Sequence, residues 1–361
     1  MCRLLRSHPA NLKTFKLYGL ILRLFVDIST NKPFEVELLS VSGTPSVNGN
    51  CPMKYAISIS IVIVIVVSLA VYLIQEKRKV TLEHLKVDEV VETGLGFEKY
   101  DKVLVFGTYS SDRPSEVFDQ FRPMLDYVGE QLSEVTGLRY AVTMKIFGTY
   151  EDGRNAIING KIDFARVGPA SYVMIEDQHP SVHLLGMELK GGERRFKGLI
   201  VVGEDSPIQS LSDLKGCRFG FGEPTSTIGR YLAQAELVQA SIHASDLREF
   251  NYLGRHDLVF KSVLLGDCDA GALKESTFKK LNKNGALRSI HEFFNVTKPW
   301  IARSNLDQTL VTHLKNILQS IKPGGPLTAL KATAITDASS AHFDATRRGM
   351  LESAKFGDKV K

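Results

Sequence analysis

Residues 102–137 read KVLVFGTYSSDRPSEVFDQFRPMLDYVGEQLSEVTG, and the pattern of this stretch indicates the fold class. The run at 102–109 has the composition of a buried strand. The segment after it places apolar side chains at helical spacing, namely Val117, Phe121, Leu125, Val128 and Leu132. Gly137 follows the last of them and marks the end of a helix. The stretch is therefore predicted to be a buried strand followed by an amphipathic helix.

The same order of strand and helix recurs along the chain. Apolar runs at 139–148, 163–169 and 197–206 have the composition of strands. Helical patterns follow the first two runs, at 151–161 and at 170–177. This alternation predicts an α/β protein built from βα units around mainly parallel sheets.

A second set of units begins after residue 206. A strand is predicted at 217–221, and an amphipathic helix is predicted to start near Ser226. A last helix is predicted at 307–321, where apolar residues again fall on one face. Because a domain holds about 150 residues, the chain of 361 residues is expected to form roughly two structural units.

The composition excludes several classes of protein. Hydrophobic residues make up 43% of the chain and charged residues 24%, which is typical of a folded protein. The net charge of +5 is too small to create the field of a nucleic-acid binder. The four cysteines, Cys2, Cys51, Cys217 and Cys268, are too few for a disulfide scaffold, and none stands at zinc-site spacing. We therefore expect no nucleic-acid partner and no metal.

Cys217 and Cys268 each precede a predicted strand in the same part of the chain. A disulfide between them is geometrically possible if those strands are neighbours. Free thiols in a packed core are the favoured state.

Residues 56–74, AISISIVIVIVVSLAVYLI, form an apolar run without charge. Their number matches the roughly 20 residues that a helix needs to cross a bilayer, whereas strands seldom exceed about 10 residues. A retained anchor is favoured over a cleaved signal, because a cut at the small-residue pattern 68–70 would leave an apolar tail. We therefore expect a single-pass signal anchor at 53–75, followed by a stalk or linker at 76–101.

The start and the orientation of this region stay open. Four basic residues follow the span between 77 and 86, whereas Lys54 alone lies close before it, which favours a cytoplasmic body by the local positive-inside rule. Long domains are translocated largely regardless of such charges. Residues 1–52 lack helical or strand periodicity, and Met53 is an alternative initiator. Residues 1–52 are therefore interpreted as an N-terminal extension that need not be native.

The strongest candidate site is GFGEPTSTIG at 220–229. Thr225, Ser226 and Thr227 stand between a strand end and a helix start, where free backbone N–H groups and the positive helix terminus attract anions. A tetrahedral oxyanion fits this pattern, but on local sequence alone simple helix capping by Ser226 or Thr227 is the favoured interpretation, because such caps are common. The segment lacks the GK[ST] ending of a Walker loop and the third glycine of a dinucleotide fingerprint, so no nucleotide cofactor is expected.

Four other residues are candidates on weaker grounds. Arg166 stands inside an apolar strand, so an internal carboxylate or an anionic ligand must offset its charge. Tyr109 ends the first strand, either at a cleft or at the edge of the core. His256 precedes Asp257, but adjacent helix residues do not face each other and no nucleophile has a place beside them, so an enzyme is not expected. Glu275 follows a strand end, where it either contacts a ligand or solvates a turn.

The segment GEPTSTIGRYLAQAEL at 222–237 resembles the ligand-binding helix of the phosphate, phosphite and phosphonate substrate-binding proteins of ABC transporters, whose usual form is G-D-P-x-S-T-S-G. Segments at 150–153, 160–173, 205–216 and 254–273 are similar to the same family in order and spacing. The resemblance covers roughly residues 102–305.

This resemblance implies a type II periplasmic-binding-protein fold, in which two α/β lobes hold the ligand in a cleft between them. It implies a first lobe at 102–198, a second lobe at 199–296, and a return to the first lobe with C-terminal helices at 297–361. The family's ligand contacts fall on Thr225, Ser226 and Thr227, on Tyr150 in the first lobe, and on His256 in the second. Two departures, Ile228 in place of a serine and Lys298 in place of an acid, favour a small or wholly anionic ligand.

The resemblance implies a membrane-anchored solute-binding protein for phosphate, phosphite, phosphonate or a related oxyanion. Such a protein acts by lobe closure without a cofactor, and it delivers its ligand to an ABC permease. The expected location is the cytoplasmic membrane, with the binding body in the periplasm or outside the cell. The alternative is a sensor subunit that presents the same binding body to a signalling protein in the membrane.

Overall fold

The computed structural model describes residues 99–109 and 114–357, together with the backbone of four short strands that precede them. The chain divides into a unit of residues 1–80 and a unit of residues 81–361. The first unit contains an antiparallel sheet of β1 (Thr14–Leu17), β2 (Leu20–Arg23) and β3 (Glu37–Leu39). The predicted membrane span at 56–74 lies outside the described residues. Within the described part of the chain, no helix combines the length and apolarity needed to cross a membrane.

The unit of residues 81–361 alternates strands and helices as the sequence predicts. Its strands are β4 (Glu89–Val91), β5 (Lys102–Tyr109), β6 (Tyr140–Phe147), β7 (Phe164–Arg166), β8 (His183–Leu189), β9 (Arg195–Gly203), β10 (Arg218–Phe221), β11 (Glu249–Tyr252), β12 (Ala270–Lys274), β13 (Leu287–Val296), β14 (Pro299–Ala302) and β15 (Ala334–Thr336). Its α-helices are α1 (Pro114–Thr136), α2 (Tyr150–Ile158), α3 (Pro169–Gln178), α4 (Ala233–Gln239), α5 (His256–Leu264), α6 (Glu275–Leu281), α7 (Gln308–Ser320), α8 (Pro326–Leu330) and α9 (Asp344–Ser353). A π-helical turn (Thr227–Leu232) leads into α4, and 3₁₀ turns lie at Leu211–Leu214, Ala244–Asp246, Ser340–Phe343 and Ala354–Phe356.

The first lobe is built on a seven-stranded sheet in the order β15-β8-β14-β7-β5-β6-β4. Strands β6 and β7 pair in parallel with β5, whereas β14 lies antiparallel between β7 and β8. Strand β4 falls within the segment 76–101 that the sequence predicts to be a stalk, and it pairs with β6 at the edge of this sheet. Helices α1, α2 and α3 each follow a parallel strand, which places the starts of α2 and α3 at the carboxyl edge of the sheet.

The core of the first lobe confirms the predicted face of α1. All five apolar residues that the sequence places at helical spacing are buried, from Val117 to Leu132. Gly137 follows the helix with φ +73°, the left-handed conformation expected after a helix end. Trp300 of β14 is fully buried and packs against Phe106 and Phe121, with ring centroids 5.4 and 6.1 Å away.

The second lobe is built on a five-stranded sheet in the order β11-β10-β12-β9-β13. Strand β10 pairs in parallel with β11 and β12, whereas β9 lies antiparallel to β12 and β13. Cys217 and Cys268 precede the neighbouring strands β10 and β12 and are both free, as the sequence favours. The thiol of Cys268 is buried against the Ser262 hydroxyl at 3.2 Å.

The chain crosses between the sheets twice, from β8 to β9 and from β13 to β14. Helix α9 connects the lobes a third time. Arg347 of α9 forms an ion pair with Glu176 of α3, and Ser353 donates to Gln234 of α4 at 2.6 Å. Phe356, just after α9, is buried in the core of the second lobe. These connections leave a cleft between the two lobes.

Candidate functional site

A small cavity of about 20 Å³ lies between the lobes. Its wall combines residues of the first lobe, the second lobe and the crossing segments. The lining residues are Tyr109, Tyr150, Gly168, Pro169, Phe196, Ser226, Thr227, Ile228, His256, Lys274, Asn295 and Lys298. Because a cavity of this size holds little more than one water molecule, the lobes are closed against each other here.

Four helix starts converge on this cavity. Tyr150 begins α2, Pro169 begins α3, Thr227 begins the π-helical turn before α4, and His256 begins α5. Each helix follows a strand, so the topology brings the starts together at the carboxyl edges of the two sheets. The first N–H groups of a helix have no acceptor within the helix and carry the positive end of its dipole. The cavity is therefore an electrostatically favourable place for an anion.

Ser226 and Thr227 both present buried hydroxyls at the cavity. Ser226 is the N-cap of the π-helical turn, and its Oγ accepts from the Gly229 N–H at 3.0 Å. The Oγ1 of Thr227 accepts from the Ala170 N–H of the first lobe, also at 3.0 Å. A hydroxyl that accepts one hydrogen bond still has its proton to donate. Capping and ligand binding are therefore compatible at Ser226, although the sequence poses them as alternatives.

Two glycines shape the loop that carries these hydroxyls. A Cβ atom on Gly222 would lie 2.9 Å from the Gly229 Cα, and the Gly222 N–H donates to the Gly229 carbonyl at 2.7 Å. Real Cβ atoms do not come so close to backbone, so this contact requires glycine at both positions. The contact folds the loop back onto the helix start and holds Ser226 and Thr227 at the cavity.

Thr225 lies outside the cavity lining. Its hydroxyl donates to Glu223 at 2.8 Å and accepts from the Arg154 guanidinium at the same distance. Arg154 belongs to α2 of the first lobe, so Thr225 takes part in a contact between the lobes. Burial raises the pKa of Glu223, which lies beside this contact.

Tyr109 and Tyr150 stack on each other, with ring centroids 3.7 Å apart. The Tyr109 hydroxyl accepts from the Gly168 N–H and donates to the Ser171 hydroxyl at 3.1 Å. Burial raises the pKa of Tyr109 to about 12, so this hydroxyl keeps its proton at neutral pH. Through these bonds Tyr109 positions both the start of α3 and the ring of Tyr150.

Sequence reasoning did not propose Lys274, Asn295 and Phe196 as site residues, and it treated Lys298 only as a departure from the family pattern. Asn295 is buried, and among the described residues its side-chain oxygen has no hydrogen-bond partner. Asn295 is a polar residue in the otherwise apolar end of β13, and this is the one sequence signal that could have identified it as a site residue. Lys274 ends β12, and it reaches the cavity only because the sheet brings that strand end to the cleft.

Arg166 and Glu275 lie in a larger cleft of about 680 Å³ that adjoins the small cavity. Arg166 forms a two-pronged ion pair with the fully buried Glu188, at 2.7 and 2.9 Å. Burial alone would raise the pKa of Glu188, but the charges of Arg166, Lys190 and Lys298 outweigh it and hold that pKa at about 2. An internal carboxylate therefore offsets the Arg166 charge. Glu275 begins α6 and forms an ion pair with Lys279 at 2.8 Å.

No group of three His, Cys, Asp or Glu side chains within residues 99–109 and 114–357 could hold a metal ion. The residues that line the small cavity offer hydroxyls, helix-start N–H groups, an imidazole, an amide and two ammonium groups. None of the residues that line the small cavity is acidic. Such a set binds and orients an anion.

Comparison with known proteins agrees with this geometry. The family of periplasmic substrate-binding proteins of phosphonate ABC transporters matches residues 106–345. A probable phosphite-binding protein of an ABC transporter from Prochlorococcus marinus (strain MIT 9301) is 28% identical over 143 residues, which are 36% of this chain and 48% of that protein. The phosphonates-binding periplasmic protein of Escherichia coli (strain K12) is 26% identical over 229 residues, 59% of this chain and 64% of that protein. The matched parts thus span about half to two thirds of these relatives.

A solved structure of the Prochlorococcus marinus protein PhnD1 in complex with methylphosphonate has a similar fold. The TM-score is 0.61 at 22% identity, and the match covers 70% of this chain and 99% of that one. At this identity the likeness establishes the fold, which is the periplasmic-binding-protein fold of two α/β lobes that the sequence predicts.

Proposed function

The chain belongs to the family of periplasmic substrate-binding proteins of phosphonate ABC transporters, and on this premise we propose that its small cavity binds a phosphorus oxyanion. The observation that carries the proposal is the convergence of four helix starts on a cavity without acidic lining residues. Phosphite, phosphate and a simple phosphonate are the proposed ligands, since the relatives' names and the bound methylphosphonate point to this class.

The proposed contacts come from both lobes. Ser226, Thr227 and His256 donate from the second lobe, and Tyr150 donates from the first. Hydrogen bonds to a charged group contribute about 1.5–3 kcal/mol each, so a few of them together support micromolar binding. Lys298 adds a positive charge where an amino group on the ligand would be repelled.

Binding is proposed to act by lobe closure without covalent chemistry. Three contacts between the lobes accompany the closed form: Arg154 with Thr225 at 2.8 Å, Ala170 with Thr227 at 3.0 Å, and Lys280 with Glu116 at 2.7 Å. In this form the cavity holds little more than one water molecule, which is less space than a phosphorus oxyanion occupies. The lobes must therefore separate to admit a ligand and then close around it less tightly than they do here. A ligand that touches both lobes then stabilises closure.

Membrane anchoring and delivery to an ABC permease complete the proposal. The uncharged run at 56–74 supports an anchor, and the family membership supports an extracytoplasmic binding body. The same run also favours a sensor subunit that presents its closed form to a signalling partner. Affinity capture from detergent-solubilised membranes separates the two, because a permease with its ATPase supports uptake and a kinase or cyclase supports sensing.

A thermal-shift panel tests the ligand class. The full chain, purified in detergent, is melted with phosphite, phosphate, methylphosphonate or sulfate at millimolar concentration. We expect a clear rise in Tm with at least one phosphorus oxyanion, because a ligand that binds only the folded state stabilises it. The S226A/T227V double variant is the control and should lose that rise. Equal, negligible shifts with all four anions would contradict the proposal.

A further inference from the structure

Asn295 occupies a core position near the end of β13. Along this strand Phe293 is buried in the core of the second lobe, Phe294 is exposed, and Asn295 is again buried, with 4% of its surface accessible. Successive side chains of a strand point to opposite faces, so Asn295 shares the inner face with Phe293. Arg195 and Lys197 lie on the other face, over the ring of Phe294. The strand thus carries a carboxamide where its alternation favours an apolar side chain.

This carboxamide borders the small cavity. Asn295 pairs with Phe196 of β9, and both residues line the cavity. Within the described part of the chain, no group donates a hydrogen bond to the buried Asn295 Oδ1 atom. Burial of a carbonyl oxygen without a donor destabilises a fold. A ligand that donates to this oxygen therefore explains the carboxamide better than the stability of the lobe does.

The hydroxyls of the cavity wall have the opposite need. Ser226 and Thr227 already accept from the N–H groups of Gly229 and Ala170, so their protons are available to a ligand. Such donors suit the unprotonated oxygens of an oxyanion. The Asn295 Oδ1 atom instead requires a proton on the ligand. A wall that holds both kinds of group fits an oxyanion that is partly protonated.

We propose that Asn295 selects the protonation state of the ligand: its Oδ1 atom accepts from a P–OH group, so the site takes a monoprotonated phosphorus oxyanion. This inference rests on the proposed function and narrows its ligand class to hydrogen phosphite, hydrogen phosphonates and the protonated forms of phosphate. A carboxamide carries an acceptor and a donor group side by side, which match a P–OH and a P–O⁻ group on one phosphorus atom.

A sulfonate has the same tetrahedral shape, but its oxygens carry no proton near neutral pH. A water molecule can donate to Oδ1 when the cavity is open to solvent, and an anion that fills the cavity displaces that water. A P–OH group replaces the lost hydrogen bond, whereas a sulfonate does not, and such unreplaced bonds lower affinity. The site is therefore expected to discriminate between phosphonates and sulfonates of equal size.

Two ligands of nearly equal shape and charge test this selection. Isothermal titration calorimetry on the full chain in detergent compares methylphosphonate with methanesulfonate below the second pKa of methylphosphonate, where both are monoanions. We expect methylphosphonate to bind at least about tenfold tighter, the effect of one hydrogen bond in a charged complex. Equal affinities, or tighter binding of methanesulfonate, would overturn this inference alone. Absence of binding by methylphosphonate and by phosphite would overturn the proposed function and this inference with it.

A pH series identifies the bound form of methylphosphonate. Above its second pKa this ligand loses the proton that it donates to Asn295. The other titratable groups of the cavity wall are those of Tyr109, Tyr150, His256, Lys274 and Lys298. Methanesulfonate keeps its charge throughout, so its affinity reports the effect of these groups separately. We expect the ratio of the two affinities to fall as the pH rises, whereas a rising ratio would show that the dianion binds and would overturn the inference.

A matched pair of variants assigns the effect to Asn295. Asn295→Leu removes the carboxamide with little change in side-chain size, and it should bring the affinity ratio down to about threefold or less. Thr297→Val is the control, because Thr297 Oγ1 is also buried without a hydrogen-bond partner among the described residues but Thr297 does not line the cavity. T297V should keep the wild-type ratio. A ratio that persists in N295L, or that falls equally in T297V, would refute the role of Asn295.

The Tm without ligand distinguishes binding from a structural role. Replacing a buried amide that lacks a partner by an apolar side chain of similar shape is neutral or stabilising, so the Tm of ligand-free N295L should equal or exceed that of the wild type. A lower Tm together with an unchanged affinity ratio would assign Asn295 to the fold and overturn the inference. The ligand comparison and the pH series use the wild-type chain, so they stand even where N295L folds poorly.

Discussion

The paired substitution S226A/T227V separates a ligand clamp from a helix cap. Ser226 and Thr227 are both buried at the small cavity, and each uses its oxygen as an acceptor within the protein. If both also donate to the ligand, the double variant loses two charge-assisted hydrogen bonds. At about 1.5–3 kcal/mol each, the total is about 3–6 kcal/mol, and affinity should fall about a hundredfold or more. Titration calorimetry with methylphosphonate measures this loss.

The stability of the same variant gives the contrast. The cap at Ser226 contributes about 1 kcal/mol, and loss of the Thr227 hydroxyl leaves the buried Ala170 N–H without its acceptor, at a cost of about 1–3 kcal/mol. The free energy of unfolding without ligand, measured in urea, should therefore fall by about 2–4 kcal/mol. Small-angle scattering should show the wild type becoming more compact with ligand while the double variant stays open. Thr312→Val is a matched control, because the Thr312 hydroxyl donates to the Gln308 carbonyl on the exposed face of α7. Unchanged affinity in S226A/T227V, with the loss confined to stability, would refute the clamp.

Further substitutions address the scaffold of the site. Glu188→Gln leaves the buried guanidinium of Arg166 without a counter-charge. The free energy of unfolding, measured in urea at pH 7, should therefore fall by about 3–5 kcal/mol. A fall of less than about 1 kcal/mol would contradict this role of the ion pair. The pKa of Glu188 is about 2, against an ordinary value of 4.5. Its contribution to the free energy of unfolding is therefore complete above about pH 4.5 and is lost as the pH falls towards 2. The free energy of unfolding of E188Q should vary less with pH over that interval, and the same pH dependence in E188Q and wild type would contradict the contribution of the ion pair. Tyr109→Phe removes the hydroxyl that holds the start of α3. The free energy of unfolding should therefore fall by about 1–3 kcal/mol, and ligand affinity should fall as well. Unchanged stability together with unchanged affinity would exclude the positioning role of Tyr109. Gly229→Ala places a Cβ atom 2.8 Å from the Gly222 Cα and should weaken ligand binding. G203A should not weaken binding, because a Cβ atom there has no heavy atom within 4 Å. Equal effects of the two substitutions on affinity would show that the close contact between Gly222 and Gly229 does not shape the site.

The features that sequence predicts well are local ones. Strand β5 coincides with the predicted run at 102–109, and the buried face of α1 is the predicted one, because burial follows the spacing of apolar residues. The N-cap at Ser226 follows from residue type and from its place before an amphipathic segment.

The features that sequence does not predict depend on contacts between distant segments. The partner of Arg166 is Glu188 on β8, which joins it only through the sheet order, and Asn295 reaches the cavity from the end of β13. Residue type does not distinguish the three consecutive hydroxyls at 225–227, and Thr225 lies before the N-cap, outside the helical turn. The structure accordingly directs Thr225 to Arg154 and leaves its neighbours at the cavity.

The cavity between the lobes is proposed to bind one phosphorus oxyanion. Calorimetric titration of the full chain with methylphosphonate, followed by displacement with phosphite, tests this binding. We expect one site per chain, micromolar affinity, competition between the two ligands, and loss of the signal in S226A/T227V. Binding that is absent for both ligands at millimolar concentration, or that persists unchanged in the double variant, would contradict it.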